Sequence, residues 1–147
     1  MTHTEIENPF EEGLHELSCG RTALALDFFR QAVARENTPV ACSYLAYCRA
    51  KIEGIYKEAV EVCMEARKED PKNSEIYLNL GRIHLLAENR KQAIQVFRLG
   101  LRQGRNNRIA AELEALGLRK SPPIPFLERS NPLNKIVGKL LTKLCLR

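Results

Sequence analysis

No segment of the chain approaches the roughly 20 consecutive apolar residues that a membrane span requires. The start, MTHTEIENPFEEG, is rich in glutamate where a secretion signal would carry a basic flank and an apolar run. Both absences point to a cytoplasmic protein. The five cysteines (Cys19, Cys42, Cys48, Cys63 and Cys145) form no C-x-x-C pair, and an odd, scattered set fits a reducing compartment. Four of them read as packing residues and Cys145 as an exposed one. Catalytic signatures are missing too: there is no glycine-rich phosphate loop, no H-E-x-x-H and no G-x-S-x-G. His15 and Cys19 stand four apart, a spacing that suits two metal ligands on one helix, but no second pair completes a zinc site. His84 has no placed nucleophile beside it and reads as a core histidine. The expectation is therefore a protein without catalytic residues, cofactor or metal, and not an enzyme.

What is present is a soluble composition, 44% hydrophobic and 28% charged, in 147 residues, which allows one domain and an extension. The net charge of +5 conceals a polarity. Residues 88–147 hold 13 Lys/Arg against 4 Asp/Glu, whereas residues 1–87 hold 10 against 14. A basic end can meet nucleic acid, anionic lipid or an acidic protein, and charge alone does not choose among them.

The chain repeats itself. Segments 20–37, 54–71 and 89–105 align at an offset of 34 residues. Ala25, Ala59 and Ala93 coincide, as do Leu26, Val60 and Ile94, then Phe29, Cys63 and Phe97, then Ala32, Ala66 and Gly100. Twelve residues before each alanine stand Gly13, Tyr47 and Gly81. Gly20 and Gly54, with Asn89 in the third unit, supply residues that tolerate a left-handed turn between two helices. The periodicity predicts helices over 8–19, 22–36, 39–53, 56–69, 73–87 and 90–104, and a seventh from Arg108 that covers the open end of the last hairpin.

On these residues the chain resembles the tetratricopeptide repeat family, whose pattern is W-x2-L-G-x2-Y, then A-x3-F, then P. The third unit carries Tyr77, Leu80, Gly81, His84, Ala93 and Phe97. The second keeps Ala59 and Pro71 but has Ser43, Ala46, Tyr47 and Ala50 at the first-helix positions. The first keeps Gly13, Ala25 and Phe29 but has Pro9, Glu12 and Glu16, so its first helix is expected to start late and fray. The resemblance implies an all-α fold, a right-handed solenoid of helical hairpins with a capping helix and a C-terminal amphipathic helix. It divides the chain into repeats at about 6–39, 40–73 and 74–107 plus the cap, together 6–118, then a proline-rich strap at 119–131 and a basic helix at 132–147. It also implies that the first helix of each hairpin lines a concave groove. The groove positions are Phe10, Leu14 and Leu17; Tyr44, Leu45, Cys48, Lys51 and Ile52; and Glu75, Leu78, Asn79, Arg82, Leu85 and Leu86. Relatives that clamp the carboxylate tails of chaperones line this groove with Lys, Arg and Asn. Here Phe10, Leu14, Leu45 and Glu75 hold most of those positions and only Asn79 matches a polar one, which argues against a chaperone-tail receptor.

The strap, SPPIPFLERSNP, is extended because each proline restricts its predecessor, and Phe126 and Leu127 are its expected anchors on the fold. Asn131 and Pro132 are a helix start. Beyond them Leu133, Ile136, Val137, Leu140, Leu141 and Leu144 form one stripe, and Lys135, Lys139 and Lys143 a second. The ending also resembles those of some bacterial repeat proteins, a likeness that carries no function. Burying six aliphatic side chains is worth on the order of 10 kcal/mol gross. The tail helix is therefore expected to pack in cis, either in the groove, to be displaced by a partner, or as an extension of the solenoid.

The leading expectation is a scaffold that binds a protein or peptide partner in an apolar groove. The alternative is a membrane-surface protein held by residues 132–147, although its lysines crowd one flank and no large aromatic marks an interface. Nucleic acid is disfavoured: Arg98, Arg102 and Arg105, with Arg90, Lys91 and Arg108 near, have no aromatic platform interleaved. The partner's identity and the oligomeric state are left open.

Overall fold

The computed structural model describes residues 8–117 and 132–143. The strap with Phe126 and Leu127, and the terminal residues Leu144, Cys145 and Arg147, lie outside the described residues. Eight helices follow one another, and no strand occurs among the described residues. They are α1 (Pro9–Ser18), α2 (Thr22–Arg35), α3 (Pro39–Glu53), α4 (Tyr56–Glu69), α5 (Ser74–Leu86), α6 (Arg90–Gln103), α7 (Asn107–Ala115) and α8 (Pro132–Lys143). The first six pair as three antiparallel hairpins, and each hairpin packs on the next through α2 on α3, α4 on α5 and α3 on α5. This is an all-α solenoid of helical hairpins. Contacts divide the chain after Leu113, inside α7, with α8 in the second unit.

Close approach of the paired helices sets the fold. Ala25, Ala59 and Ala93 are almost wholly buried. A second small residue faces a ring: a Cβ placed on Gly13 would stand 2.7 Å from Phe29 Cε1, and one on Gly81 would stand 2.2 Å from Phe97 Cε1. Real Cβ atoms do not approach so closely, so both positions require glycine. The second unit holds Tyr47 and Cys63 at the corresponding places, with the bulk moved to the other helix. Gly100 answers to a different neighbour, since its Cβ would meet Ile109 Cδ1 and Tyr77 Cβ, each at 2.7 Å. Ile109 is fully buried, so α7 does cap the last hairpin.

Three features differ from the sequence reading. The first helix does not fray at its start: the Asn8 side chain accepts from Phe10 N at 3.2 Å and Glu11 N at 3.4 Å, a regular N-cap with Pro9 in the first turn. Glu16, expected to weaken that helix, is buried and paired with Arg21, whose Nη2 donates to Glu16 Oε1 at 2.9 Å. This guanidinium holds the Glu16 carboxyl below its ordinary value. The left-handed residue of the third unit is Glu88, at φ 59°, and not Asn89, whose φ is −85° and which begins α6. Glu88 lies 34 residues after Gly54, which lies 34 after Gly20, and both glycines have positive φ. The repeat register therefore governs the backbone even where the residue type is wrong for it.

A side chain in the left-handed region costs about 1–2 kcal/mol. Glu88→Gly is therefore expected to stabilise the protein by about 1 kcal/mol and Gly54→Ala to destabilise it by a similar amount. Both are read as shifts of the urea midpoint at an unchanged m-value.

Candidate interaction face

The first helices α1, α3 and α5 carry all fourteen residues expected to line the groove, but the structure sorts those residues into three kinds. Tyr44, Cys48, Leu78 and Asn79 are buried. Phe10, Leu14, Leu17, Leu45, Glu75, Arg82, Leu85 and Leu86 are half-buried, and Lys51 and Ile52 are exposed, Ile52 at 47%. The four buried residues belong to the core, a correction to their placement on a binding surface. The reason lies in aromatic packing. Phe29 stacks on Tyr44 with centroids 5.1 Å apart, and Phe10 meets both edge-on, at 5.8 Å from Phe29 and 5.6 Å from Tyr44. Leu14, Leu17 and Leu45 pack against this cluster. Burial pushes the Cys48 thiol up to about 12, which keeps it protonated and unreactive. Asn79 Nδ2 donates to Ser43 Oγ at 3.0 Å, and Asn79 Oδ1 has no partner among the described residues.

Over the aromatic cluster lies a polar network that the sequence reading missed. The Tyr44 hydroxyl donates to the Glu75 carboxylate. Arg108 spans both, with Nη1 3.0 Å from the Tyr44 hydroxyl and Nη2 2.6 Å from Glu75 Oε2. Asn106 Nδ2 reaches Glu75 Oε1 at 2.8 Å and Ser74 Oγ at 3.1 Å. Burial and the Glu75 carboxylate raise the Tyr44 pKa, so the phenol remains a donor. Beside this network Arg82 Nε donates to Glu112 Oε1 at 2.6 Å, with its guanidinium 5.6 Å from the Tyr47 ring centroid. Arg108 and Glu112 come from α7, so the cap contributes to this face as well as closing the stack. Arg108 thus leaves the basic cluster to which its sequence position assigned it, while Arg98 and Arg102 on α6, and Arg105 just beyond it, are exposed. One signal was available: continuing the 34-residue register once more puts Glu112 in line with Phe10, Tyr44 and Leu78.

Two other residues can be placed. His15 Nε2 lies 3.8 Å from Cys19 Sγ, and no group of three His, Cys, Asp or Glu suited to a metal occurs among the described residues. Cys19 is exposed, which corrects its reading as a packing residue. His84 is half-buried, its Nδ1 has no partner among the described residues, and burial lowers its pKa.

The fold defines a class, the helical-hairpin solenoids. Residues 52–116 match the family model of the tetratricopeptide repeat. Solved structures agree. A thermophilic tetratricopeptide protein of Thermus thermophilus superimposes with a TM-score of 0.61 at 21% identity, over 76% of this chain and 66% of that one, so the chain spans just under two thirds of it. The Sgt2 tetratricopeptide domain of Aspergillus fumigatus gives 0.55 at 19% identity, over 90% and 94%. The second tetratricopeptide domain of human RPAP3, solved with the HSP70 peptide SGPTIEEVD, gives 0.55 at 20% identity, over 80% and 98%. No curated protein matches the chain.

Removing Arg108 leaves Glu75 its bond to Asn106, whereas removing Glu75 takes the acceptor from the buried Tyr44 hydroxyl and the carboxylate from Arg108. Arg108→Ala is therefore expected to cost about 1 kcal/mol and Glu75→Ala about 2 kcal/mol by urea unfolding. His84 titrates at about 6.5 when unfolded and lower when folded, so the unfolded state binds more protons between those values. Stability should fall as pH drops below about 6.5 and level off below the folded pKa. His84→Phe should flatten this step in urea midpoints measured at about pH 7.5 and about pH 5.5.

Proposed function

We propose that this chain is a non-catalytic scaffold that holds a protein partner, as a peptide or a helix, on the face formed by α1, α3, α5 and the start of α7. The observation that carries this reading is the mixture on that face. Half-buried Leu14, Leu17, Leu85 and Leu86 and exposed Ile52 offer apolar footholds, and the Glu75–Arg108 and Arg82–Glu112 pairs offer polar ones. Peptide recognition in grooves uses this combination of apolar anchors and a few fixed polar groups. The RPAP3 domain, similar in fold, is solved with a peptide, which supports a peptide as the kind of partner. Occlusion of the face by the C-terminal helix was expected on the premise of an open apolar trough. With four of the fourteen residues in the core, that premise weakens, and we assign the face to a partner.

A second reading rests on α8 itself. Its Leu133, Ile136 and Leu140 are each more than half exposed, with Lys135 and Lys139 exposed beside them. Such a helix suits an anionic membrane surface, and no described helix is long and apolar enough to cross a membrane.

The test is affinity capture with the full chain, with an Ile52→Glu/Leu86→Gln variant and with a Leu24→Glu control on α2. Partners of the concave face should fall about tenfold in the first variant and remain with the control. Partners indifferent to the concave substitutions would remove the reading.

A further inference from the structure

A second surface lies away from the concave face. Between the start of α3 and the outer flank of α4 opens a cleft of about 280 Å³. Its floor includes Val62, which is 41% exposed, and Ala66, and its rim carries Glu61, Glu65 and Glu69. These carboxylates recur at four-residue spacing, about 6 Å per step along a helix. All three are exposed, and among the described residues Glu65 alone is paired, with Lys68 at 2.6 Å in a bridge that is itself open to water.

The pattern on this flank has a counterpart in the same chain. Along α4 each acid precedes a small apolar residue, Glu61–Val62 and Glu65–Ala66, with Glu69 one step on. Along α8 each base precedes a large apolar residue, Lys135–Ile136 and Lys139–Leu140, with Lys143 one step on. The pitch is the same and the charges are opposite. Geometry adds a direction. When two helices meet face to face in antiparallel sense, a row one residue before the apolar row lies on the same side of both. Rows spaced by four are the ridges by which helices interlock.

We propose that the α4 cleft is the docking site for the C-terminal helix of a second copy of this chain. Antiparallel docking sets Glu65 and Glu69 beside Lys139 and Lys135 and lays Ile136 and Leu140 over Val62 and Ala66. A helix of 12 residues covers too little area for a stable pair by itself. Reciprocal exchange, each copy giving its helix to the other, doubles the area and closes the assembly about a two-fold axis. The opposite net charges of the two halves of the chain favour the same arrangement.

Sedimentation velocity of the full chain from about 5 to about 200 μM reads the result. The chain should dimerise with increasing concentration, more strongly at low salt than at high. Glu61→Lys/Glu65→Lys/Glu69→Lys should weaken dimerisation at least about tenfold, and Lys135→Glu/Lys139→Glu/Lys143→Glu should do the same. An equimolar mixture of the two reversed chains, and one chain carrying all six changes, should dimerise again, which misfolded variants would not do. A chain that stays monomeric throughout, pelleting with anionic vesicles or not, overturns the proposal. So does a dimer indifferent to either reversal, or a charge swap that fails to restore it.

Discussion

Everything in the repeat body depends on how closely two helices can approach. Each hairpin puts a buried alanine at the crossing, and in the outer two units a glycine lies under a phenylalanine ring. The ring needs the missing Cβ, and the close approach needs the ring to fill what lies beside it. Neither residue type is informative alone, but the pair fixes the distance between helices. That distance then sets how the next hairpin can stack. A unit that cannot bury its apolar side alone becomes stable only through its neighbours. Gly100 shows the same constraint at the end of the array, where the missing side chain makes room for Ile109 of the cap.

Most of this architecture was legible because it is periodic. All eight helices fall within a few residues of the positions that the 34-residue register and the tail's spacing imply. Even the misassigned left-handed residue obeys the register: position 88 is correct, and Asn89 was preferred only because asparagine tolerates that conformation more easily than glutamate. The polar network was not legible in the same way. Tyr44, Glu75 and Arg108 are separated by 31 to 64 residues, and no local pattern joins them.

Burial was the other blind spot. Register states which helix face a side chain leaves from, not how much of that face its neighbours cover. Tyr44 and Cys48 point toward the concave side by position, yet Phe10, Phe29 and Arg108 close over that region. Asn79, the one polar residue that matched a carboxylate-binding position, is spent on Ser43. A hydrophobic groove read from positions alone therefore overstated how much apolar surface is offered to a partner.

The Arg108 bridge has a bearing on how the array comes apart. Solenoids lose their ends first, because a terminal unit has one neighbour instead of two. Here the capping helix α7 is fastened both to its immediate neighbour, through Glu75, and to the unit before that, through the Tyr44 hydroxyl. Unzipping from this end must break a strand of contacts that skips a repeat, so fraying and loss of the recognition surface become a single event. A ligand held against Arg108 would then act as a clasp, coupling occupancy to the persistence of the C-terminal part of the stack.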